Sequence, residues 1–203
     1  MERNYIVAGI GGQGSIKISH MIAEASLRAH GEKYRARVGE TFGAAQRGGA
    51  VASHVRIGED VYSPLLGKGA AELVLALEPL EGLRVGVPYL SENGIAIINT
   101  VKQDPVDVKI GGELRYPAVE DILSALRAIG RRVVAFDGSA LAAEAGSAKV
   151  LSAVMLGAAF ASGLFPFDEE TILEVLKENV PESSVESNLT AFRLGKEAYL
   201  AAA

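Results

Sequence analysis

The chain opens with an apolar segment that runs into a glycine-rich loop and then into a helical pattern. A buried strand is predicted at Asn4–Gly9, and the loop that follows it is Gly9-Ile10-Gly11-Gly12-Gln13-Gly14. Apolar residues then recur at helical spacing over Ser15–Ala29, and Gly31 is a plausible stop. A strand, a G-x-G-x-x-G loop and a helix in this order are typical of the start of a Rossmann-like domain. This opening constrains the fold more than any other feature of the sequence.

The rest of the chain predicts an alternation of strands and helices that ends in a helical region. Two of the predicted strands are continuous apolar runs, as expected of parallel strands covered on both faces. We therefore expect a single α/β domain over residues 1–203, with a Rossmann-like, mostly parallel sheet, flanking helices and a helical C-terminal third. The predicted strands are Tyr34–Val38, Ala50–Ile57, Leu73–Leu77, Ile95–Ile98 and Arg132–Phe136, with Val61–Ser63 as a candidate hairpin partner; the predicted helices are Val119–Ile129, Lys149–Ser162, one capped by Asp168, and a final helix.

The first glycine loop is a candidate binding site. Glycines let the backbone turn tightly and approach a ligand closely, and the free N–H groups and dipole at the start of the following helix attract an anion. The alternative is a tight strand-to-helix turn that binds nothing, and the motif alone does not separate the two. The candidate residues are Gly9, Gly11, Gly12, Gln13 and Gly14.

A stand-alone dinucleotide site needs one more feature. It needs an acidic residue at the end of the second strand, roughly 20 residues after the glycines, to bind the ribose hydroxyls. The region instead offers Arg35 and Arg37, and the nearest acid beyond the predicted second strand, Glu40, comes late. An NAD site is thereby weakened, although arginines could suit a 2′-phosphate or another nucleotide-like group. An independent NAD(P)- or flavin-binding oxidoreductase stays open as the alternative function.

A second glycine-rich stretch, Gly43–Gly49, follows the predicted second strand. Arg47 lies beside Gly48 and Gly49, where the backbone could bring its guanidinium close to a carboxylate or phosphate. In an isolated protein, such an arginine is more often a solvated residue of a surface loop than a ligand-binding residue. If both loops project from the same edge of the sheet, they can face one anion. His54 and Arg56 share a face of the next strand, which could meet solvent or a partner.

Composition excludes several classes of function. The chain contains no cysteine, so it can form no disulfide, thiolate zinc site, cysteine nucleophile or iron–sulfur cluster of its own. The formal net charge of -5 argues against nucleic acid as a partner. No apolar run is long enough to predict a membrane span, and the first residues lack a signal-peptide pattern. We expect a cytoplasmic protein that is a binding or scaffold domain, because no motif of a self-sufficient enzyme is present.

An ordered set of motifs resembles a known family along nearly the whole chain. The set resembles the gamma-type domain of 2-oxoacid ferredoxin oxidoreductases. Sister branches share the two glycine-rich motifs in varied form, whereas Ser53–Arg56, Tyr62–Pro64 and Glu78–Leu80 favour the indolepyruvate branch. Three stretches depart from the family pattern: Ala44-Ala45, Lys17 in the first helix, and the polar Val101–Pro105. The motifs are Gly9–Gly14, Gln46–Gly49 with Ser53–Arg56, Tyr62–Pro64, Leu77–Glu81, Ile98–Thr100, Met155–Ala158, Gly163–Pro166 and Glu186–Phe192.

The resemblance implies a non-catalytic small subunit of an oligomeric complex that makes acyl-CoA, CO2 and reduced ferredoxin. It implies that thiamine diphosphate and [4Fe–4S] clusters lie on a larger partner subunit, and that ferredoxin meets the complex rather than this chain alone. The sequence agrees, because Phe136 precedes Asp137-Gly138 and the G-D-G of a thiamine-diphosphate motif is missing. The resemblance also implies coenzyme A nearby, whose phosphates would suit Gly9–Gly14, Arg47, Gly48 and Gly49. A regulatory protein that oligomerises without a complex is a third possibility.

Overall fold

A computed structural model describes residues 2–42, 48–103 and 116–202 of the chain, without the side chain of Phe42. Short 3-10 turns lie at Gly31–Lys33, Ala148–Val150 and Glu182–Ser184. Within the described residues the strands are β1 (Glu2–Ile10), β2 (Arg35–Phe42), β3 (Ala50–Gly58), β4 (Ala71–Ala76), β5 (Leu90–Asn99) and β6 (Arg132–Phe136). The helices are α1 (Ser15–His30), α2 (Pro79–Tyr89), α3 (Val119–Arg127), α4 (Gly138–Glu144), α5 (Leu151–Ala161), α6 (Glu169–Glu178) and α7 (Val185–Ala202).

These strands form one sheet in the order β2-β3-β1-β4-β5-β6. β1 pairs in parallel with β4, β4 with β5, and β5 with β6. β3 lies between β1 and β2 and is antiparallel to both. The predicted α/β fold with a mostly parallel sheet and a helical C-terminal part is confirmed, and β3 is the strand of this sheet that runs against the others.

The hairpin predicted between Ala50–Ile57 and Val61–Ser63 is wrong. Residues 61–63 form no strand. β3 is already paired along both edges, with β1 from Glu2↔Gly58 to Ile10↔Ala50 and with β2 from Arg35↔Gly58 to Phe42↔Val51. No edge of β3 is left for a third partner, so the chain after Gly58 leaves the sheet.

The two faces of the sheet are covered by different helices because successive side chains in a strand point to opposite faces. Leu73 and Leu75 of β4 pack in a core with α1 and the C-terminal helices α4 to α7. Val74 and Ala76 pack on the other face with α2 and α3. All four side chains are fully buried, which explains why β4 reads as a continuous apolar run.

Helices α5 and α7 approach each other through two glycines. A Cβ atom on Gly157 would lie 1.9 Å from the carbonyl oxygen of Phe192, and one on Gly195 would lie 1.8 Å from that of Val154. These neighbours are backbone atoms, so they yield only if the helices separate. The small residues predicted in Lys149–Ser162 thus allow a contact between helix backbones.

Replacing Gly157 by alanine should destabilise the protein by about 3 kcal/mol, at the upper end of the usual cost of overpacking, because the helices must move apart. Urea unfolding followed by circular dichroism measures this change. The control is Gly67→Ala, since a Cβ atom there has no neighbour within 4 Å; its effect should stay within about 0.5 kcal/mol. Equal stability of the two variants would contradict the close approach of α5 and α7.

Candidate functional site

The candidate site lies at the carboxyl edge of the parallel strands. The chain leaves β1 through Gly9–Gly14 to α1 on one face of the sheet, and leaves β4 through Leu77-Glu78 to α2 on the other face. The strand order reverses between these neighbours, since β3 and β2 lie on one side of β1 while β4, β5 and β6 lie on the other. Ligands of open α/β sheets bind at such a switch point.

The side chain of Gln13 holds the first glycine loop in shape. Its Oε1 accepts a hydrogen bond from the backbone N–H of Ile10 at 2.8 Å. Its Nε2 donates to the carbonyl oxygen of Leu77 at 3.3 Å and to Oε1 of Gln103 at 3.1 Å. Gln13 therefore joins the ends of β1 and β4 to the segment that follows β5. This residue serves first as a structural brace of the loop.

Two glycines of the loop are required by the surrounding atoms. A Cβ atom on Gly9 would lie 2.8 Å from Oε1 of Gln13, so a larger residue would displace the brace. Gly14 has φ 94° and precedes α1 directly, and a Cβ atom there would lie 3.0 Å from Cβ of Ser152. The turn alone thus accounts for these two glycines. Gly12, with φ 105°, faces open space and leaves room for a ligand.

The described end of the second glycine loop, Gly48-Gly49, lies next to the first glycine loop. The backbone N–H of Gly11 donates to the carbonyl oxygen of Gly49 at 2.9 Å. The contact follows from the register, because Ala50 of β3 pairs with Ile10 at the end of β1. Gly49 therefore lies against the first loop. Arg47 lies outside the described residues, as do residues 43–46.

Asn99 organises the ends of the neighbouring strands. It is fully buried, and its Nδ2 donates to the carbonyl oxygen of Leu77 at 2.9 Å and to Oγ of Ser139 at 3.3 Å. Its Oδ1 accepts from the backbone N–H of Gly138 at 3.0 Å. One amide thereby fixes the loops after β4 and β6 against the end of β5. The sequence singled out Ile98–Thr100 as a motif without assigning this role.

Glu78 is a buried carboxylate at the start of α2. It is fully buried, and one oxygen accepts from the N–H of Glu81 at 2.9 Å, which caps α2. The other oxygen accepts a short hydrogen bond from the hydroxyl of Tyr116 and one from the N–H of Gln103 at 3.5 Å. Burial raises the pKa of Glu78, and the hydrogen bond from Tyr116 opposes that rise. The carboxylate is buried because Tyr116, Gln103 and α2 all close over it.

Three cavities open around Gly12. The edge cavity, about 410 Å³, reaches Asn99 and Ser139; the loop cavity, about 330 Å³, reaches Val51; and the serine cavity, about 450 Å³, reaches the start of α7. No aspartate or glutamate lines any of them among the described residues. Lysines do: Lys102 in the edge cavity, Lys17 in the loop and serine cavities, and Lys149 in the edge and serine cavities.

These lysines favour an anion at the glycine loop. Lys17 and Lys102 belong to the stretches that depart from the family pattern, and Lys149 was treated only as the start of a helix. The sequence carried no signal that would bring Lys149 to the loop, because that placement depends on how α5 packs against Gly14. A larger cavity of about 710 Å³ lies elsewhere, between α1 and α6, where Arg28 pairs with Glu24 and Glu178.

His54 does not lie on an exposed strand face, so the prediction of a solvent or partner surface there is wrong for this residue. It is 2% exposed, its Nδ1 accepts from the backbone N–H of Leu66 at 3.2 Å, and its ring packs edge-on against Tyr89. The segment after β3 and helix α2 cover it. Arg56 remains partly exposed and binds Asn4 at 3.0 Å. Burial lowers the pKa of His54.

The described residues show neither a metal cluster nor a membrane-spanning helix. No group of three or more histidine, aspartate or glutamate side chains is arranged to hold a metal ion in this part of the chain. Within the same residues, each helix is too short or too polar to cross a bilayer.

Comparison with known proteins gives matches along the full chain. Residues 4–198 match the family described as pyruvate ferredoxin/flavodoxin oxidoreductase. The chain is 37% identical over 198 residues to indolepyruvate oxidoreductase subunit IorB of Thermococcus kodakarensis, which covers 97% of this chain and 96% of that protein.

Solved structures show the same fold. The gamma subunit of a keto/oxoacid ferredoxin oxidoreductase from Geobacter sulfurreducens superposes with a TM-score of 0.70 at 27% identity, covering 98% of this chain and 99% of that one. A 2-oxoglutarate:ferredoxin oxidoreductase from Magnetococcus marinus, with 2-oxoglutarate, coenzyme A and succinyl-CoA bound, gives a TM-score of 0.71 at 22% identity. That match covers 98% of this chain and 31% of the other.

The burial of His54 predicts an acid-sensitive fold. Because the native pKa lies below the ordinary value of 6.5, the unfolded chain binds the proton more readily, so stability falls as the pH drops through 6.5 towards the native pKa. The loss should reach at most about 1.4 kcal/mol per pH unit. Urea unfolding between about pH 5 and pH 8 measures this slope. As the pH falls, the wild type and Tyr89→Phe should both lose stability more steeply than His54→Gln. Equal slopes in the wild type and His54→Gln would contradict the prediction.

Proposed function

The chain belongs to the pyruvate ferredoxin/flavodoxin oxidoreductase family, and on that basis we propose that it is the small, non-catalytic subunit of an indolepyruvate (aryl-pyruvate) oxidoreductase complex. The observation that carries the proposal is its 37% identity to a subunit of that name across 97% of the chain. The complete complex would convert a 2-oxoacid and coenzyme A into acyl-CoA and CO2, and two electrons would pass to ferredoxin. Residues 1–203 would act in it as one gamma-type domain in the cytoplasm.

The sequence supports a division of labour between subunits. Iron–sulfur clusters need thiolate ligands, and this chain has no cysteine. A larger partner subunit would therefore carry the [4Fe–4S] clusters, and with them thiamine diphosphate, which supplies the carbanion chemistry of decarboxylation. The small subunit would bind and orient groups at the edge of that site.

We propose that the two glycine loops contact coenzyme A. The backbone hydrogen bond between Gly11 and Gly49 brings the loops together, and Gly12 faces open space beside them. Lys17 adds positive charge in the loop cavity, and Arg47 is two residues from Gly49 in the chain. A phosphate of coenzyme A suits such a setting, because backbone N–H groups and cations both favour anions. The proposed contact residues are Gly9, Gly11, Gly12, Gln13, Gly14, Arg47, Gly48 and Gly49.

The strand order argues against the alternative, an independent NAD(P)- or flavin-binding oxidoreductase. In a dinucleotide-binding fold, the second strand lies beside the first and places an acid near the glycine loop. Here β3 separates β1 from β2, so the end of β2 is one strand further away. The acid of β2 considered for this role, Glu40, lies with its carboxylate 3.0 Å from Nε2 of His20 in α1.

Changes in the two loops should affect coenzyme A more than the 2-oxoacid. In the reconstituted complex, Gly12→Val should block close approach of the ligand, and Arg47→Ala should remove a charge-assisted contact worth about 1.5–3 kcal/mol. Both should raise the Michaelis constant for coenzyme A about tenfold or more and leave that for the 2-oxoacid nearly unchanged. Steady-state kinetics with each substrate varied in turn measures the difference.

The control for backbone strain is Gly69→Val. Gly69 also has positive φ, 66°, and open space around it, but it precedes β4 and so lies at the opposite edge of the sheet. It should change neither Michaelis constant. If the Gly12 and Arg47 variants instead lose assembly, or shift both substrates equally, the loops pack against the larger subunit and the coenzyme A contact is wrong.

The division of labour predicts how the chain behaves alone and in its complex. The purified chain should be free of iron and should turn over no 2-oxoacid, whereas affinity capture from native extract should recover a larger, iron-rich, thiamine-dependent chain with it. Metal analysis and a ferredoxin-reduction assay before and after adding that partner test both statements. Capture of the chain only with itself would favour the oligomerising regulatory protein, and iron or turnover in the isolated chain would refute the proposal.

A further inference from the structure

The serine cavity shares the first glycine loop and Lys17 with the proposed coenzyme A contact, but most of its lining lies beyond that contact. It lies between the first glycine loop, the start of α5 and the start of α7. Its volume of about 450 Å³ is enclosed on several sides by polar side chains. The lining that carries the argument comprises Lys17, Lys149, Ser152, Ser183, Ser187 and Asn188.

Both lysines are free to bind an anion. Neither Lys17 nor Lys149 forms an ion pair through its ammonium group with a residue that the structure describes. The cavity lining contains no described carboxylate that could neutralise them. Two unpaired positive charges facing one cavity produce a local field that attracts a multiply charged anion.

Two helices begin at this cavity without a side-chain cap. The residue before α1 is Gly14, which has no side chain, and the residue before α5 is Val150, whose side chain is apolar. In each case the residue before the helix makes no side-chain cap hydrogen bond. These helices have 16 and 11 residues, so each carries a full N-terminal dipole.

Ser152 provides independent evidence for a ligand. Its side chain lies in the cavity wall next to Gly14, and the residue is only 8% exposed. Other buried serines on helices, Ser19 and Ser26, donate to the carbonyl four residues earlier at 3.0 and 2.7 Å. The side-chain hydroxyl of Ser152 makes no such bond within the described residues, and the residue lines the cavity. A hydroxyl that lines a cavity and is not bonded within the protein is available to donate to a ligand there.

We propose that the serine cavity is a phosphate-binding site, which takes a phosphomonoester or diphosphate group between Lys149 and the hydroxyl of Ser152. Lys17 and the starts of α1 and α5 would complete the set of donors, and Asn188 would border the site through its carboxamide. Phosphate oxygens accept hydrogen bonds from such donors, and their negative charge would neutralise the positive charge of the two lysines. The site does not depend on the two glycine loops binding coenzyme A, since Ser152 and Asn188 line neither of the other two cavities.

Calorimetric titration of the full-length chain with inorganic pyrophosphate tests the site. Wild type should bind the ion, and the affinity should fall with added salt. Lys149→Gln should weaken binding about tenfold or more and Ser152→Ala about threefold or more. The matched control is Lys102→Gln, which removes a lysine that borders the same glycine loop but lines only the edge cavity; it should bind as wild type does.

Competition with coenzyme A then identifies the source of the phosphate. If coenzyme A displaces pyrophosphate, and Lys149→Gln weakens both, the cavity takes a phosphate of that cofactor; if both ligands bind together, it takes a separate phosphorylated ligand. Either result supports a phosphate site. Failure of wild type to bind pyrophosphate, or equal losses for Lys102→Gln and Lys149→Gln, would overturn it. Loss of coenzyme A kinetics in the Gly12 variant tests the other proposal separately.

Discussion

The hydrogen bonds made by the side-chain amide of Gln13 are the contacts on which the candidate site depends most. They connect the backbone at the end of β1, the carbonyl after β4 and the segment after β5. Parallel strands bring these ends to one edge, but the loops leave in different directions, α1 to one face and α2 to the other. Hydrogen bonds between these diverging loops are needed if the carboxyl edge of the sheet is to keep a fixed shape.

Two further groups extend the brace. Asn99 bonds the loops after β4 and β6, and Glu78 bonds both Gln103 and Tyr116. Both are fully buried, so their hydrogen bonds act where water does not compete. A buried carboxylate is expensive unless it is well bonded, and the oxygens of Glu78 accept from two backbone N–H groups and one hydroxyl. The edge is therefore preorganised by amide and carboxyl groups and lined by lysines.

The sequence predicted the elements well and the tertiary placements less well. The strand–glycine–helix start, the apolar run of β4 and the cap of α6 by Asp168 are local patterns, and each is confirmed. The prediction for His54 was wrong, and the burial of Glu78 was not predicted, because burial depends on elements far along the chain. Leu66 and Tyr89 cover His54, and Tyr116 covers Glu78. Lys149 could not be placed at the glycine loop for the same reason. The packing of α5 against Gly14 depends on contacts between segments that are far apart in the chain.

The position of β1 in the sheet also affects how the chain is made. β1 is synthesised before both of its neighbours in the sheet, β3 and β4, so one of its edges stays unpaired until Ala76 has emerged. Its apolar residues Tyr5, Ile6 and Val7 are fully buried in the finished protein and have no cover at that stage. An exposed apolar strand of this kind is prone to wrong pairing and aggregation. Yield in cells should therefore depend on chaperones that hold the first 76 residues during synthesis.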